Sequence, residues 1–378
     1  MSGAALAPAR SALAPALLGW FDREQRDLPW RRDPSPYRTL VSELMLQQTV
    51  VATVEPYFRR FVSRFPTIQA LAAATDEEVT ALWSGLGYYA RARNLRRAAE
   101  VVVRAHGGAL PRTEAELRAL PGVGPYTAAA VAAIAFGARA FALDGNGARV
   151  FARLGAERSP IDAPATRALL HARGLAEVPL ERAGDFNQAV MELGATVCTP
   201  RRPRCERCPV ADACGARAAG LVDLLPVKRP RAARPVVRLV CACVTDGKSV
   251  LLERRPPGLL GGTWSLLDDG GAGGGRPAAV ARRLAERAGV RVGSVHYGGS
   301  VRHLFTHRDV TAEVFRVEAA GRARSAAKNA WGGDAGARRW VAPGLLGALG
   351  VSSFTRKTVR VGLGESDAAK PDKRRVRT

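Results

Sequence analysis

LPGVGPYTAAA, residues 120–130, reads as the end of one helix, a tight glycine-rich hairpin and the start of a second helix. Gly122 and Gly124 permit a sharp turn whose backbone N–H groups point outward. Pro125 stands at the first helical position, which tolerates proline because that N–H has no partner within the helix. The positive dipole end of the second helix adds to the hairpin, and together they form a cradle for a backbone phosphate. An ordinary helix–helix turn is the plainer reading of the same residues. Upstream, Thr113 and Glu116 form a capping box ahead of Leu117 and Leu120. Downstream, the run YTAAAVAAIAFGARA (126–140) is a buried helix whose small side chains let neighbours approach closely.

A second stretch, VCTPRRPRCERCPVADAC (197–214), places Cys198, Cys205, Cys208 and Cys214 in the spacing C-x6-C-x2-C-x5-C. Four thiolates bind tetrahedral zinc or an iron–sulfur cluster. Zinc sites pair two short knuckles across a longer gap. One knuckle with two longer arms in a single loop favours one cubane cluster, with zinc second. Arg201, Arg202, Arg204 and Arg207 lie in the same loop, which suggests that it faces an anion.

Cys241 and Cys243 alternate in the apolar run RLVCACV and read as small core residues of a strand. Six cysteines with four committed to metal argue against a disulfide scaffold. The start of the chain lacks a basic n-region and is broken by Pro8 and Pro15, and no apolar run is long enough for a bilayer. A reducing cytoplasm, at the nucleoid, is the expected location. The formal net charge of +23 over 378 residues points to a nucleic-acid partner. An anionic membrane surface is the weaker alternative, because no basic amphipathic anchor is evident.

The length suggests two or three domains. Residues 1–216 read as mainly helical, with the cysteine loop at 198–214. Ser35-Pro36 caps and opens a helix through SPYRTLVSELMLQQT, with Leu40, Val41, Leu44 and Val51 on its apolar face. A linker is expected at 217–235, extended and exposed through LPVKRPRAARP (225–235). Residues 236–362 read as α+β: VVRLVCACVT, SVLLERR, WSLL, VRHLFTH and DVTAEVFRVEAA are strand-like, with one helix near 277–288. Residues 363–378 form a basic tail, expected to be disordered.

Three further features bear on chemistry. WSGLGYYARARNL (83–95) is a glycine-rich turn in which tyrosines precede arginines, a composition suited to stacking on or wedging between bases. A core aromatic pair beside a solvated basic face is the alternative. Glu43 lies in the apolar helical run LVSELMLQ, where desolvation could hold a carboxyl neutral and ready to donate a proton. Asp144, in ALDGNGARV, sits just before a helix. The plainer readings are an exposed helix charge and a simple N-cap. As a pair the two acids fit acid-assisted glycosidic cleavage, one protonating the leaving group and the other stabilising a cationic sugar.

LPWRRDPSPYRTLVSELMLQQTVVATVEPYF, LWSGLGYYARARNL, LPGVGPYTA, LDGN and the cysteine loop, in this order and spacing, resemble the helix-hairpin-helix DNA glycosylases with an iron–sulfur loop, and most closely the adenine DNA glycosylases of the MutY type. The resemblance covers nearly the whole chain. It implies a monofunctional base-excision-repair enzyme that hydrolyses the N-glycosidic bond of adenine mispaired with 8-oxoguanine or guanine in duplex DNA, carries a [4Fe–4S] cluster and acts as a monomer. It assigns Glu43 to protonating adenine and Asp144 to stabilising an oxocarbenium-like sugar, supported by Tyr126 and by Asn146 beside the attacking water. Trp30, Arg31, Leu46 and Gln188 would line the pocket for the flipped adenine. Gln48, Thr49, Leu86 and Tyr88 would wedge around the lesion, and Val123 and Thr127 would join Gly122 and Gly124 at the phosphate. Gly147 and Ala148 depart from the family's usual residues after the Asp-Gly-Asn motif, giving a softer loop around Asp144.

Residues 236–362 resemble the family's lesion-reading domain, which is related to nudix hydrolases. In the stretch matching the nudix helix, Arg283 and Arg287 replace two acids that metal binding requires, so nucleotide hydrolysis is not expected. HLFTH resembles the loop that contacts 8-oxoguanine, through Phe305, Thr306 and His307, with Thr in place of the usual Ser. His303 and His307 also read simply as a surface strand end. An endonuclease III-type lyase is the first rival, but it uses a hairpin lysine where Tyr126 stands, and no lysine precedes Lys228. A non-enzymatic iron–sulfur DNA-binding regulator is the second, and it leaves Glu43 and Asp144 without a use.

Overall fold

The computed structural model describes residues 12–230, 232–256, 258, 260–321 and 336–365. Contacts divide the chain into two units: Met1–Ala73 with Asn94–Arg231, and Ala74–Arg93 with Ala232–Thr378. Helices occur in the order α1 (Leu13–Glu24), α2 (Pro29–Arg32), α3 (Pro36–Leu46), α4 (Val51–Arg64), α5 (Ile68–Ala72), α6 (Asp76–Trp83) and α7 (Ala90–His106). They continue with α8 (Glu114–Arg118), α9 (Pro125–Phe136), α10 (Gly145–Leu154), α11 (Pro164–Glu177), α12 (Ala183–Thr196) and α13 (Gly215–Ala218). Among the described residues, no helix is long and apolar enough to cross a membrane.

The first unit is helical, and α9 lies at its centre. Ala128 to Ala133 are at most 2% exposed, and α3, α8 and α12 pack around them. The closeness depends on small residues: a Cβ on Gly184 would stand 2.8 Å from the Ala133 carbonyl oxygen. Ser35 caps α3, accepting from the Arg38 N–H at 3.2 Å. The helix ends sooner than its apolar pattern suggests. It stops at Leu46, Gln48 adopts a left-handed φ of 58°, and Val51 opens α4 instead of extending the α3 face. At Thr113 the cap accepts from the Glu116 N–H, but the reciprocal bond joins Glu116 to the Thr113 hydroxyl, so only half of the expected box forms. The full box stands at Thr75 and Glu78, opening α6.

The stretch expected to be exposed from residue 225 is tied to the helical unit at its start. Leu225 is buried and its carbonyl accepts from Arg153 at 2.9 Å, while the Val227 carbonyl accepts from the Ile161 N–H at 3.0 Å. Exposure begins at Lys228.

In the second unit β1 (Val236–Thr245), β2 (Val250–Arg254), β3 (Trp264–Ser265), β4 (Leu267–Asp268), β5 (Arg291–Leu304), β6 (Asp309–Gly321) and β7 (Arg338–Val341) form one mixed sheet. Its order is β3-β2-β1-β6-β5; β1 and β6 run parallel, and β4 and β7 pair with β1 and β2. Alternation along β1 sends Cys241 and Cys243 into one core and Ala242 and Val244 into the other. Helix α14 (Pro277–Arg287) covers the second core through Ala281 and Ala285, and α15 (Ser353–Gly362) covers the first through Phe354, Val359 and Val361.

Two features were not anticipated. β5 starts at Arg291, ten residues before the expected VRHLFTH, because Gly298 and Gly299 and an irregular register break its pattern. Helix α15 has β-branched residues that read like a strand, but Ser352 caps it by accepting from the Thr355 N–H at 3.0 Å. Most of the expected tail, from residue 366, lies outside the described residues.

Candidate active site

Helix α3 is buried on nearly all sides, so Glu43 leaves water with the helix. Its side chain borders a cavity of about 1110 Å³ in the first unit. Tyr126, in the first turn of α9, donates to Glu43 Oε2 at 2.7 Å. Burial pushes the Glu43 carboxyl up to about 7; the Tyr126 hydrogen bond opposes the rise, the nearby Asp144 carboxylate adds to it, and Arg31 opposes it. Asp144 borders the same cavity from the N-cap of α10, where its Oδ1 accepts from the Gly147 N–H at 2.6 Å. Burial raises this carboxyl too, but the backbone N–H groups of Gly147 and Asn146 pull it back. The two acids are therefore set apart in kind: Glu43 lacks the backbone donors that favour an Asp144 anion.

Asn146 is held between α10 and α12. Its Oδ1 accepts from Arg149 at 2.8 Å, and a Cβ on Gly194 would come within 2.6 Å of the Asn146 Cβ. Trp30 is buried, with its ring 5.4 Å from Phe58 in an edge arrangement. Arg31 donates to Gln188 Oε1 at 3.0 Å and to the Arg26 carbonyl at 3.0 Å. Trp30, Arg31, Leu46 and Gln188 thus border the cavity that holds Glu43, Tyr126, Asp144 and Asn146.

Gln48, Thr49, Gly122, Gly124 and Thr127 border it as well. Gly122 has a φ of 76°, and a Cβ there would meet Asn94 at 2.5 Å, so the hairpin requires glycine. Nothing lies within 4 Å of a Cβ built on Gly124, which leaves the cradle open. Val123 and Thr127 are buried, and the Thr127 hydroxyl accepts from Gln47 at 2.9 Å, so neither side chain projects from the hairpin. Gln48 and Tyr88 both have left-handed φ, 58° and 49°. Side chains of this size rarely adopt that conformation, which concentrates at functional sites.

Leu86 and Tyr88 belong to the second unit, with Ala74–Arg93. Leu86 is buried, whereas Tyr88 is 38% exposed. Tyr89 is buried and donates to the Val351 carbonyl at 2.8 Å, so one tyrosine of the pair is core and the other is not. The Tyr88 hydroxyl is hydrogen-bonded to the Thr306 hydroxyl. Thr306 and His307 are exposed at the tip of the β5–β6 hairpin, and Phe305 meets His303 and Phe354 edge to face, with ring centroids 4.5 and 5.7 Å apart. His303 is therefore part of an aromatic cluster.

All four loop cysteines are half-buried and border one small cavity with Arg153. Arg153 donates to Cys198 Sγ at 3.3 Å and to the Thr199 carbonyl at 2.8 Å. Burial pushes the Cys208 thiol up to about 11. A soft four-sulfur set around one cavity fits an iron–sulfur group.

Several residues of these sites escaped the sequence reading. Glu192, in the apolar run AVMELGA, carries the same signal that marked Glu43. Arg149 donates to the carbonyls of Cys198 and Gly194, both at 2.7 Å, and so ties Asn146 to the cysteine loop. An arginine within a helix gives no such sign in sequence, although Arg149 is buried.

Residues 41–173 match the HhH-GPD superfamily of base excision DNA repair proteins, residues 198–214 the iron–sulfur binding domain of endonuclease III, and residues 239–360 the NUDIX domain. The adenine DNA glycosylase of Homo sapiens is 50% identical over 218 residues, which is 55% of this chain and 40% of the human protein. The adenine DNA glycosylase of Rattus norvegicus is 39% identical over 363 residues, 80% of this chain and 69% of the rat protein. A solved thermostable thymine-DNA glycosylase aligns with a TM-score of 0.50 at 30% identity, covering 56% of this chain and 97% of its own. Identity sustained over most of both chains, as with the rat protein, marks kinship rather than a shared fold alone: the chain belongs to the adenine DNA glycosylase family.

Proposed function

We propose that the protein removes adenine opposite 8-oxoguanine, and less efficiently opposite guanine, from duplex DNA without cutting the strand. The observation that carries the reading is Glu43, a buried carboxyl held near neutrality on a cavity that a capped carboxylate, Asp144, also borders. In this reading the flipped adenine enters the cavity between Trp30 and Arg31. Glu43 donates its proton to the base, and ionised Asp144 stabilises the sugar cation as the N-glycosidic bond breaks. Asn146 holds the water that completes hydrolysis. The hairpin at Gly122 and Gly124 grips a phosphate, and Gln48 and Tyr88, already in strained backbone, enter the stack.

The test is single-turnover adenine release from duplexes carrying adenine opposite 8-oxoguanine or guanine. Absence of release from both would overturn the reading. Strand cutting without heat or base, or borohydride trapping of a covalent complex, would favour the lyase alternative. Neither is expected, because no lysine precedes Lys228.

The four cysteines would hold a [4Fe–4S] cluster, which fixes the arginine-bearing loop. Purified protein should contain about four irons per chain. Stoichiometric zinc in freshly isolated protein would refute this assignment.

The Thr306 hydroxyl is the group at the β5–β6 tip best suited to reading the oxidised base. Thr306→Ala should lower the preference for 8-oxoguanine over guanine about fivefold, the value of one hydrogen bond near 1 kcal/mol. Thr306→Ser should preserve it. An unchanged ratio of release rates in the alanine variant would remove Thr306 from lesion reading.

A further inference from the structure

Glu192 is a carboxylate that the proposed reaction leaves without a role. It projects from α12 at the edge of the Glu43 cavity, and its side chain is 1% exposed. It accepts from Arg26 Nε at 2.5 Å and Nη2 at 3.1 Å, a two-pronged bond, and from Arg31 Nη2 at 3.0 Å. The two arginines hold its carboxyl below the usual range despite its burial. Arg31 spends three of its five N–H groups, on Gln188, Arg26 and Glu192. Its guanidinium lies 5.1 Å from the Phe21 ring, which fixes its plane. Two of its N–H groups therefore stand outside these bonds.

Placing arginines beside a general acid creates a conflict. A cation near Glu43 favours its ionised form, in which it cannot donate a proton. The charged and titratable groups around Glu43 are Tyr126 from α9, Asp144 at the start of α10, Arg31 from α2, Arg26 ahead of α2, and Glu192 from α12. Arg149 and Arg167 border the cavity from α10 and α11, with their guanidinium groups bonded to backbone carbonyls. Glu192 is the carboxylate that bonds both Arg26 and Arg31.

Resting on the proposed adenine-releasing reaction, we infer that Glu192 is a positioning residue: it locks Arg26 and Arg31 into a clamp and offsets one of their two positive charges, so that Arg31 can present its N–H groups to a purine beside a neutral Glu43. Without the Glu192 charge, the clamp would draw the proton from Glu43 at a lower pH.

The test is the pH profile of single-turnover adenine release by full-length protein. In the parent the rate should fall as pH rises past the Glu43 titration. In Glu192→Gln this alkaline limb should move down by about one pH unit, the scale of one uncompensated charge nearby. Adding Arg26→Gln should move it back towards the parent position, and Glu192→Asp should leave it in place even if the rate falls. A merely structural role would lower the rate without moving the limb, so an unmoved limb in Glu192→Gln would overturn the proposal. So would a shift that the second change does not reverse. If Glu192→Gln does not fold, Arg26→Gln alone serves: the limb should rise by a few tenths of a unit, and no movement would overturn the proposal. Parent protein that releases no adenine at any pH would overturn the reading of the site and this proposal with it.

Discussion

The Glu43→Gln protein should release adenine roughly a hundred- to ten-thousand-fold more slowly than the parent, the usual worth of general acid catalysis. Gln keeps the shape and can still accept from the Tyr126 hydroxyl, which stands 2.7 Å from Glu43. It has no acidic proton for the leaving base. Duplex binding should be nearly unchanged, because the hairpin and the strained turns are untouched. The variant should also be more stable above neutral pH. Burial raises the folded-state carboxyl from 4.5 to about 7, so the folded chain keeps this proton where the unfolded chain has lost it. Stability is full below the unfolded-state value, declines as pH rises between the two values, and levels off above about 7. The loss that Gln avoids is at most on the order of 3 kcal/mol, at about 1.4 kcal/mol per pKa unit. Single-turnover kinetics and thermal melts at two pH values check both halves. Near-parent rates, or a variant that melts lower at pH values above neutrality, would contradict the assigned environment.

Asp144→Asn should be comparably severe, with release slowed roughly a hundred- to thousand-fold, the scale of losing one preorganised electrostatic contact to a developing charge. The cap itself should survive. Asn can still accept from the Gly147 N–H, and Asn and Asp are about equal as N-caps. The melt should therefore move little while the rate collapses. The variant carries a second signature. Asp144 helps to raise the Glu43 carboxyl, so its neutralisation should move the alkaline limb of any residual activity to lower pH. Loss of rate together with loss of fold would mean that Asp144 is only a cap.

Much of this was legible in the chain itself. The hairpin at residues 120–130, the cysteine spacing and the two acids each depend on local chemistry. A turn that needs glycine, a set of soft ligands and an acid in an apolar helix are each written within one short stretch of chain. The sheet of the second unit was legible where apolar and polar residues alternate, as in β1, and illegible where glycines interrupt the pattern in β5. Helix α15 was missed because its β-branched residues argue locally for a strand, and packing overrode that preference.

The sequence alone determined which residues could do chemistry: Glu43, Asp144 and the four thiols. Tertiary structure decided what those residues become. Burial in the first unit, rather than composition, carries Glu43 towards neutrality, since desolvation depends on what surrounds a group and not on its neighbours in the chain. Residues 74–93 join the second unit through contacts such as Ser84 and Tyr89 with the Val351 carbonyl, both at 2.8 Å, over separations of more than 260 residues. Glu192 finds Arg26 and Arg31 across 166 and 161 residues. Such partners are invisible to periodicity, because Coulomb interactions and hydrogen bonds act through space, and only the folded chain fixes those distances.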